Sequence, residues 1–262
     1  MLLTIDIGNT AVTIGIFDGE RLLTTYRLST DSRRLSDEYG LQLVGLLNLK
    51  GIDPSSIDSA CICSGVPPLT VVFSDLCHNF FGVPPLTVSA GVRTGLRILY
   101  DSPRDVGADR IADAVAALEL YSPPLIVVDL GTATVFDVVN RDGEYLGGVI
   151  SPGISVAADA LFFNASQLRR VELVAPRSVV GRNTVNAVQS GLVYGYACLV
   201  TGMVDRIKDE IGREAQVIGT GGLVTVISSH TNVFHEINQD LTLIGLRLIY
   251  EMNQEKPARV RN

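Results

Sequence analysis

Two short segments carry residues that could bind phosphate. In each, an aspartate ends an apolar run and is followed by an apolar residue and a glycine, in Asp6-Ile7-Gly8-Asn9-Thr10 and Asp129-Leu130-Gly131-Thr132. Glycine lets backbone N–H groups approach an anion, amide and hydroxyl side chains add neutral donors, and a carboxylate can hold Mg²⁺. A single D-x-G-x-T segment is more often an ordinary tight turn. Two copies at matching positions favour phosphate binding, with Asp6 as the magnesium ligand.

The two segments belong to a longer internal repeat. Residues 2–20 and 125–144 share an apolar run, the D-x-G turn, a second run rich in β-branched residues and then Asp-Gly-Glu, and the copies are 123 residues apart. A D-G pair accepts the positive φ of hairpin turns, so each copy predicts a three-stranded meander. The sequence therefore predicts an α/β protein of two similar layered domains with mixed sheets. Their D-x-G turns would face each other across a central cleft.

Strand and helix patterns alternate after each meander. The patterns predict helices at 36–51, 67–81, 107–121, 153–163, 184–211, from 222 and at 240–252, and strands at 59–64, 86–88 and 216–218. The apolar stretch 191–204 is shorter than the roughly 20 residues of a membrane span and indicates a buried or interface helix. A third glycine cluster, Gly219-Thr220-Gly221-Gly222, follows a strand and opens a helix, which suits an adenine or ribose packed on backbone. Taken alone, this last signal is weak.

Composition excludes several other functions. The 262 residues carry a net charge of −7, so nucleic acid is an unexpected partner. None of the three lysines (Lys50, Lys208, Lys256) stands in a G-x-x-x-x-G-K-[ST] pattern, which excludes a P-loop enzyme. The four cysteines and three histidines have neither disulfide nor zinc spacing, so we interpret the cysteines as small core residues. The first residues do not read as a secretory signal, and we expect a cytoplasmic protein without a membrane partner.

Six motifs in order resemble one known family. They are DIGNT at 6–10, GADR at 107–110, DLGTATVFD at 129–137, GGVISPG at 147–153, GRNTVNAVQSG at 181–191 and GTGG at 219–222. Together they resemble the type III pantothenate kinases of the actin, sugar kinase and Hsp70 ATPase superfamily. The resemblance implies two tandem ribonuclease-H-like (actin-like ATPase) domains around a central nucleotide cleft, which we expect at 1–121 and 122–255 with a flexible tail at 256–262. It also implies ATP-dependent phosphorylation of pantothenate to 4'-phosphopantothenate, the first step of coenzyme A biosynthesis.

The resemblance assigns roles to individual residues. Asp109 would be the general base, in the first turn of a helix whose positive end favours the ionised carboxylate. Asp129 would hold an essential monovalent cation, K⁺ or NH₄⁺. Residues implied to contact ATP are Asp6, Ile7, Gly8, Asn9, Thr10, Ala11, Val12, Thr13 and Thr132. Residues implied to contact pantothenate are Tyr100, Gly107, Ala108, Asp109, Arg110 and Thr184, the last reaching the site of a partner subunit.

Four of these residues also have a purely structural interpretation. Asp109 could only stabilise its helix, Arg110 could pair with Asp113 one turn later, Thr184 could cap a helix and Tyr100 could simply pack. At the level of the whole chain, the alternatives are another small-molecule kinase of the superfamily or a non-enzymatic regulatory relative. The small residues Gly191, Gly195, Cys198 and Gly202 recur at helical spacing on one face, which predicts a homodimer unless that face lies in the core.

Overall fold

The computed structural model describes residues 1–165 and 167–254. Within them the strands are β1 (Leu2–Ile7), β2 (Ala11–Asp18), β3 (Arg21–Ser29), β4 (Ser59–Ser64), β5 (Leu86–Thr87), β6 (Arg97–Ile98), β7 (Leu125–Leu130), β8 (Ala133–Val139), β9 (Glu144–Pro152), β10 (Gln216–Thr220) and β11 (Glu236–Ile237). The helices are α1 (Ser36–Leu49), α2 (Pro67–Phe81), α3 (Ala108–Leu120), α4 (Ile154–Asn164), α5 (Thr184–Ile211), α6 (Val224–Ser228) and α7 (Leu241–Gln254). Short 3₁₀ turns lie at Pro54–Ser56 and Pro103–Asp105. The chain divides into two compact units.

The first unit contains Met1–Gly95, Arg104–Ala116 and helix α7. Its sheet has the order β3-β2-β1-β4-β5, with β1 antiparallel to β2 and parallel to β4. The central strand β1 is buried along almost its whole length, which is why it reads as a nearly continuous apolar run. Its core gathers apolar residues from β1, β2, β4, α1 and α2, among them Tyr39 and Phe73 with ring centroids 4.7 Å apart.

The helices of this unit begin and end where the sequence indicates. Helix α1 carries Asp37 and Glu38 in its first turn, and Gly51 follows it with φ of +71°. Helix α2 begins at a proline and ends before Gly82, which adopts the left-handed conformation. Helix α7 packs against β1, β2 and β4, and the backbone of Ala112 on α3 leaves no room for a side chain at Gly245.

The second unit contains Leu96–Pro103 and Ala117–Asp240. Its sheet has the order β11-β10-β7-β8-β9-β6, in which β7 is antiparallel to β8 and parallel to β10. The succession β9-β8-β7-β10-β11 repeats the succession β3-β2-β1-β4-β5 of the first sheet, and β6 adds one edge strand. The predicted duplication of a meander, a parallel strand and packed helices is therefore confirmed.

Helix α5 is the longest described helix. Its residues Leu192, Val200 and Val204 lie in the core of the second unit, together with apolar residues of β7, β8, β10, α4 and α6. Among the described residues, α5 alone is long and apolar enough to cross a membrane, a property that core helices of soluble proteins share. The expected face of small residues is not core, because Gly191, Gly195, Cys198 and Gly202 are all exposed on this chain.

One helix differs from the sequence-based expectations, and two other expectations remain predictions. The helix expected from residue 222 is the single short helix α6, which begins at Val224. The packing groups α7 with the first unit, whereas the sequence suggested contiguous halves at 1–121 and 122–255; those halves remain a prediction about the duplication. The expected flexible tail at 256–262 lies outside the described residues.

Candidate active site

The first D-x-G turn is a tight loop of three residues between β1 and β2. The Gly8 N–H donates to the carbonyl oxygen of Ala11 at 3.1 Å, and a side chain at Gly8 would approach that oxygen to 3.0 Å. The Thr30 hydroxyl donates to the Gly8 carbonyl at 2.7 Å, which fixes the shape of the turn. Asn9 and Thr10 are exposed at its tip. The turn thus presents polar groups of residues 8–10 on a fixed backbone.

Asp6 lies half-buried at the end of β1. Its register partners are Thr13 on β2 and Cys63 on β4, and the Cys63 thiol donates a hydrogen bond to Asp6 Oδ1 at 3.2 Å. Burial and the nearby carboxylate of Asp109 raise the pKa of Asp6 to about 7, against smaller opposing effects of the Cys63 hydrogen bond and of Arg27. The charge of Asp109 therefore acts on Asp6, and both residues belong to the first unit.

The GADR segment places Asp109 in the first turn of α3, as predicted. Its carboxylate folds back and accepts a hydrogen bond from the Arg110 N–H at 2.8 Å. A side chain at Gly107 would collide with Asp109 Oδ1, so the glycine makes this orientation possible. Asp109 is exposed, whereas Arg110 is only 9% exposed. An exposed carboxylate on a fixed helix end can accept a proton from a bound ligand.

The second D-x-G turn, in the second unit, is one residue shorter. Here the Gly131 N–H donates to the Ala133 carbonyl at 3.0 Å, and the Gly153 N–H donates to the Thr132 carbonyl at 3.0 Å. The half-buried Asp129 lies opposite Val135 on β8 and Thr220 on β10. The two turns therefore share strand position and register but differ in loop length.

The third glycine cluster packs against this second turn. Gly221 has φ of +89°, and a side chain there would collide with Asp129 Oδ1 and lie 2.7 Å from the backbone nitrogen of Leu130. The Leu223 N–H also donates to the Leu130 carbonyl at 3.0 Å. The GTGG motif and Asp129 thus form one local structure, which the sequence indicated only as two separate signals.

Tyr100 and Thr184 lie elsewhere in the second unit. Tyr100 covers the backbone of Gly147, where a side chain would lie 2.8 Å from its ring, and remains 37% exposed. Thr184 is exposed at the start of α5, but the helix cap is Asn183, whose side chain accepts from the Asn186 N–H at 2.9 Å. The interpretation of Thr184 as the cap is therefore wrong. Thr184 instead lines an apolar groove of about 1090 Å³ between α4 and the first turns of α5.

The cysteines only partly match their expected role as small core residues. Cys61, Cys63 and Cys77 are buried, but Cys198 is exposed, because α5 turns its small-residue face outward. Burial, together with Asp6 and Asp109, raises the pKa of the Cys63 thiol well above its usual value, so it keeps its proton. The link from Cys63 to Asp6 was missed because it depends on the pairing of two strands 57 residues apart in the chain.

Clusters of three or more histidine, cysteine or acidic side chains that could hold a metal are absent from residues 1–165 and 167–254. A metal ion at Asp6 or Asp129 would therefore need backbone, water or ligand oxygens to complete its coordination. Such mixed coordination is typical of Mg²⁺ with a bound nucleotide.

Comparison with known proteins places this chain in a family. A solved structure of a Campylobacter jejuni protein assigned to the Baf family of transcriptional activators has a TM-score of 0.62, with 17% identity over 96% of this chain and 98% of that chain. A Porphyromonas gingivalis protein assigned as an N-acetylglucosamine kinase has a TM-score of 0.50, with 14% identity over 97% and 100%. These likenesses show the fold of actin-like ATPases and sugar kinases, two tandem ribonuclease-H-like domains.

Sequence similarity is more specific. The type III pantothenate kinase of Roseiflexus sp. (strain RS-1) is 51% identical over 254 residues, which cover 97% of this chain and all of that protein. The family model for type III pantothenate kinases matches residues 2–206. The chain therefore belongs to the type III pantothenate kinase family.

Proposed function

We propose that this protein carries out the reaction of its family, transfer of the γ-phosphoryl group of ATP to the primary hydroxyl of pantothenate. The product is 4'-phosphopantothenate, and the reaction is the first step of coenzyme A biosynthesis. The family match over almost the whole chain carries the assignment, and the electrostatic effect of Asp109 on the pKa of Asp6 supports it. One carboxylate belongs to the nucleotide turn and the other to the GADR helix, so a phosphate and an acceptor hydroxyl can meet there.

In this proposal Asp109 acts as the general base. The hydroxyl oxygen of pantothenate forms a bond to the γ-phosphorus while the bond from that phosphorus to the ADP oxygen breaks. The hydroxyl proton passes to Asp109, and ADP leaves with the electron pair of the broken bond. Because the transition state of phosphoryl transfer is loose, the orientation of the hydroxyl by Asp109 matters more than strong basicity. The hydrogen bond from the Arg110 N–H holds the Asp109 carboxylate in one orientation, which suits this role.

The nucleotide phosphates would be held without a P-loop lysine. Residues 6–13 form the first phosphate turn, and Thr132 contributes from the second. Mg²⁺ fits Asp6, because burial and the charge of Asp109 disfavour the ionised form of the Asp6 carboxylate and a bound cation offsets this effect. A monovalent cation, K⁺ or NH₄⁺, fits the half-buried Asp129, whose carboxylate faces the backbone around Gly221. When bound, these ions supply the positive charge that neutralises the phosphates.

The acceptor would be bound by the GADR segment and by Tyr100. Gly107 and Ala108 supply backbone at the start of α3, and Arg110 is suited to the carboxylate of pantothenate because a guanidinium binds carboxylates in a bidentate manner. The Tyr100 ring lies over Gly147 and is partly exposed, so it can cover the ligand. These roles follow the family pattern at matching positions of this chain.

The proposed assembly is a homodimer formed through α5. Side chains added at Gly191, Gly195 or Gly202 would meet nothing within 4 Å on this chain, so that face is open to close helix contact. Thr184 begins the same helix and would reach the pantothenate site of the partner subunit. An enzyme that consumes ATP acts where ATP is supplied, and we place it in the cytoplasm.

A coupled assay tests the proposal directly. ADP release should depend on pantothenate in the presence of Mg²⁺ and K⁺, and it should fall when Na⁺ replaces K⁺. Pantothenate left unmodified while a sugar or acetate is phosphorylated would contradict the substrate assignment. Equal activity in Na⁺ and K⁺ would contradict only the proposed role of Asp129 in binding a monovalent cation, and the substrate assignment would stand.

A further inference from the structure

We propose that Cys63 is a positioning residue of the nucleotide site, which holds the Asp6 carboxylate in the orientation that binds Mg·ATP. The inference rests on the proposed function, since it assumes that Asp6 belongs to that site. It concerns a thiol that the proposed chemistry does not otherwise use. Cys63 would act through Asp6 and would not touch the substrate.

The geometry of two adjacent strands supports this role. Asp6 on β1 and Cys63 on β4 are direct register partners, so their side chains lie on the same face of the sheet. The sulfur lies 3.2 Å from Asp6 Oδ1, and Cys63 is fully buried, so water has no access to replace it. Within the described part of the chain, no other group hydrogen-bonds the Asp6 side chain. The thiol thus engages Oδ1 and leaves Oδ2 for the ligand.

The duplicated half offers an internal comparison. The residue opposite Asp129 on the parallel strand β10 is Thr220, which is 2% exposed. Both halves therefore place a small, buried side chain with a proton to donate beside the aspartate of the D-x-G turn. A purely apolar residue would fill either position as well if packing alone mattered. The repetition favours a donor role for Cys63.

Cys61 provides a matched control on the same strand. It is also fully buried, and it lies two residues before Cys63, on the same face of β4. Its register partner on β1 is Thr4, which is not a carboxylate. A change at Cys61 therefore tests the loss of a buried thiol from this strand without affecting Asp6.

The experiment measures the dissociation constant of Mg·ADP by isothermal titration calorimetry, with a thermal melt of each variant. C63A and C63V both remove the donor, and because C63A leaves a smaller side chain and C63V a larger one, an effect that they share does not come from volume alone. Each should weaken Mg·ADP binding about five- to twentyfold, as expected for loss of a hydrogen bond to a charged group. The KM for ATP should rise in parallel while the KM for pantothenate stays unchanged. C63S, which restores a donor, and C61A should both remain within about twofold of the wild type.

Two results would overturn the inference. The first is a folded C63A or C63V that binds Mg·ADP like the wild type, and the second is a C63S as weak as C63A. D6N separates this failure from failure of the proposed function. If D6N weakens binding and C63A does not, only the role of Cys63 is wrong. If D6N itself binds Mg·ADP normally, Asp6 is not part of the nucleotide site and the inference about Cys63 fails with it, whereas pantothenate-dependent ADP release still tests the proposed reaction.

Discussion

Asp109 stands close enough to Asp6 to be, after burial, the largest cause of the raised pKa of Asp6. The two residues come from different elements, the end of β1 and the first turn of α3, and both belong to the first unit. This placement disfavours the ionised form of the Asp6 carboxylate in the ligand-free protein. The arrangement costs stability, and under the proposed function a cation bound at Asp6 would offset that cost.

The first prediction concerns the pH dependence of stability. The pKa of Asp6 in the folded protein is about 7, above the ordinary 3.8, so the fold disfavours the ionised form. The resulting destabilisation is absent below pH 4, grows between pH 4 and 7 and is complete above pH 7. D6N removes it and should be more stable than the wild type above pH 7, by at most about 4 kcal/mol. Urea unfolding without metal or nucleotide, from pH 5 to 8, measures the difference. A constant difference across this range would refute the prediction.

The second prediction concerns the proposed base. D109N should lower kcat about a hundredfold or more, because an amide cannot accept the hydroxyl proton. Removing the charge of Asp109 takes away one of the causes that raise the pKa of Asp6, so the folded protein should be at least as stable as the wild type and the loss of kcat would not come from unfolding. D105N, at an exposed aspartate in the 3₁₀ turn before α3, is the matched control and should retain activity. If D109N keeps a near-normal kcat, the Asp109 carboxylate is not the base and only stabilises the first turn of α3.

Much of the fold could be predicted because local rules govern it. The D-G turns after β2 and β8 require the positive φ that Gly19 and Gly143 adopt, and the periodicity of 184–211 gives α5 with its observed bounds. The two-residue strands β6 and β11 could not be predicted, because only their sheet partners define them. The sheet on which α7 packs is likewise a tertiary property, and no local pattern encodes it.

The candidate site was predictable to the extent that its residues adjoin one another in the chain. The D-x-G turns and the GADR helix start are local, and the structure has them where the sequence indicated. The contacts of Asp6 with Cys63 and with Asp109 join residues far apart in the chain, and strand register decides them. The same holds for Gly221, which packs against Asp129 across two parallel strands.

The third prediction concerns that glycine. G221A should lower the unfolding free energy by about 1–3 kcal/mol. Alanine disfavours the positive φ of this residue, and its methyl group would collide with Asp129 and the Leu130 backbone. It should also weaken activation by K⁺. Gly91 has φ of +100° and nothing within 4 Å, so G91A imposes backbone strain without the collision and should leave K⁺ activation intact. Chemical denaturation and activity titrated with K⁺ measure both effects. Equal K⁺ activation in the two variants would contradict the placement of the ion at Asp129.

The fourth prediction tests the proposed homodimer. Gly195 is exposed on α5, and nothing on this chain lies near the side chain that it lacks. In an isolated subunit, G195L should be neutral or stabilising, since leucine favours a helix by up to about 1 kcal/mol over glycine. In a dimer packed through this face, the same side chain would collide with the partner. G195L should therefore weaken dimerisation at least about tenfold, or about 1.4 kcal/mol.

Light scattering over a range of protein concentrations, combined with the kinase assay, measures this effect. If Thr184 completes the partner's site, kcat/KM for pantothenate should fall as the fraction of dimer falls and recover at high protein concentration. G45L is the matched control, because Gly45 is an exposed glycine on α1 with nothing within 4 Å. It should leave both the dimer and the activity unchanged. A G195L protein that stays dimeric and fully active would show that α5 is not the interface. A G195L protein that loses activity but stays dimeric would show that the substitution acts on the groove near Thr184 and not on dimerisation.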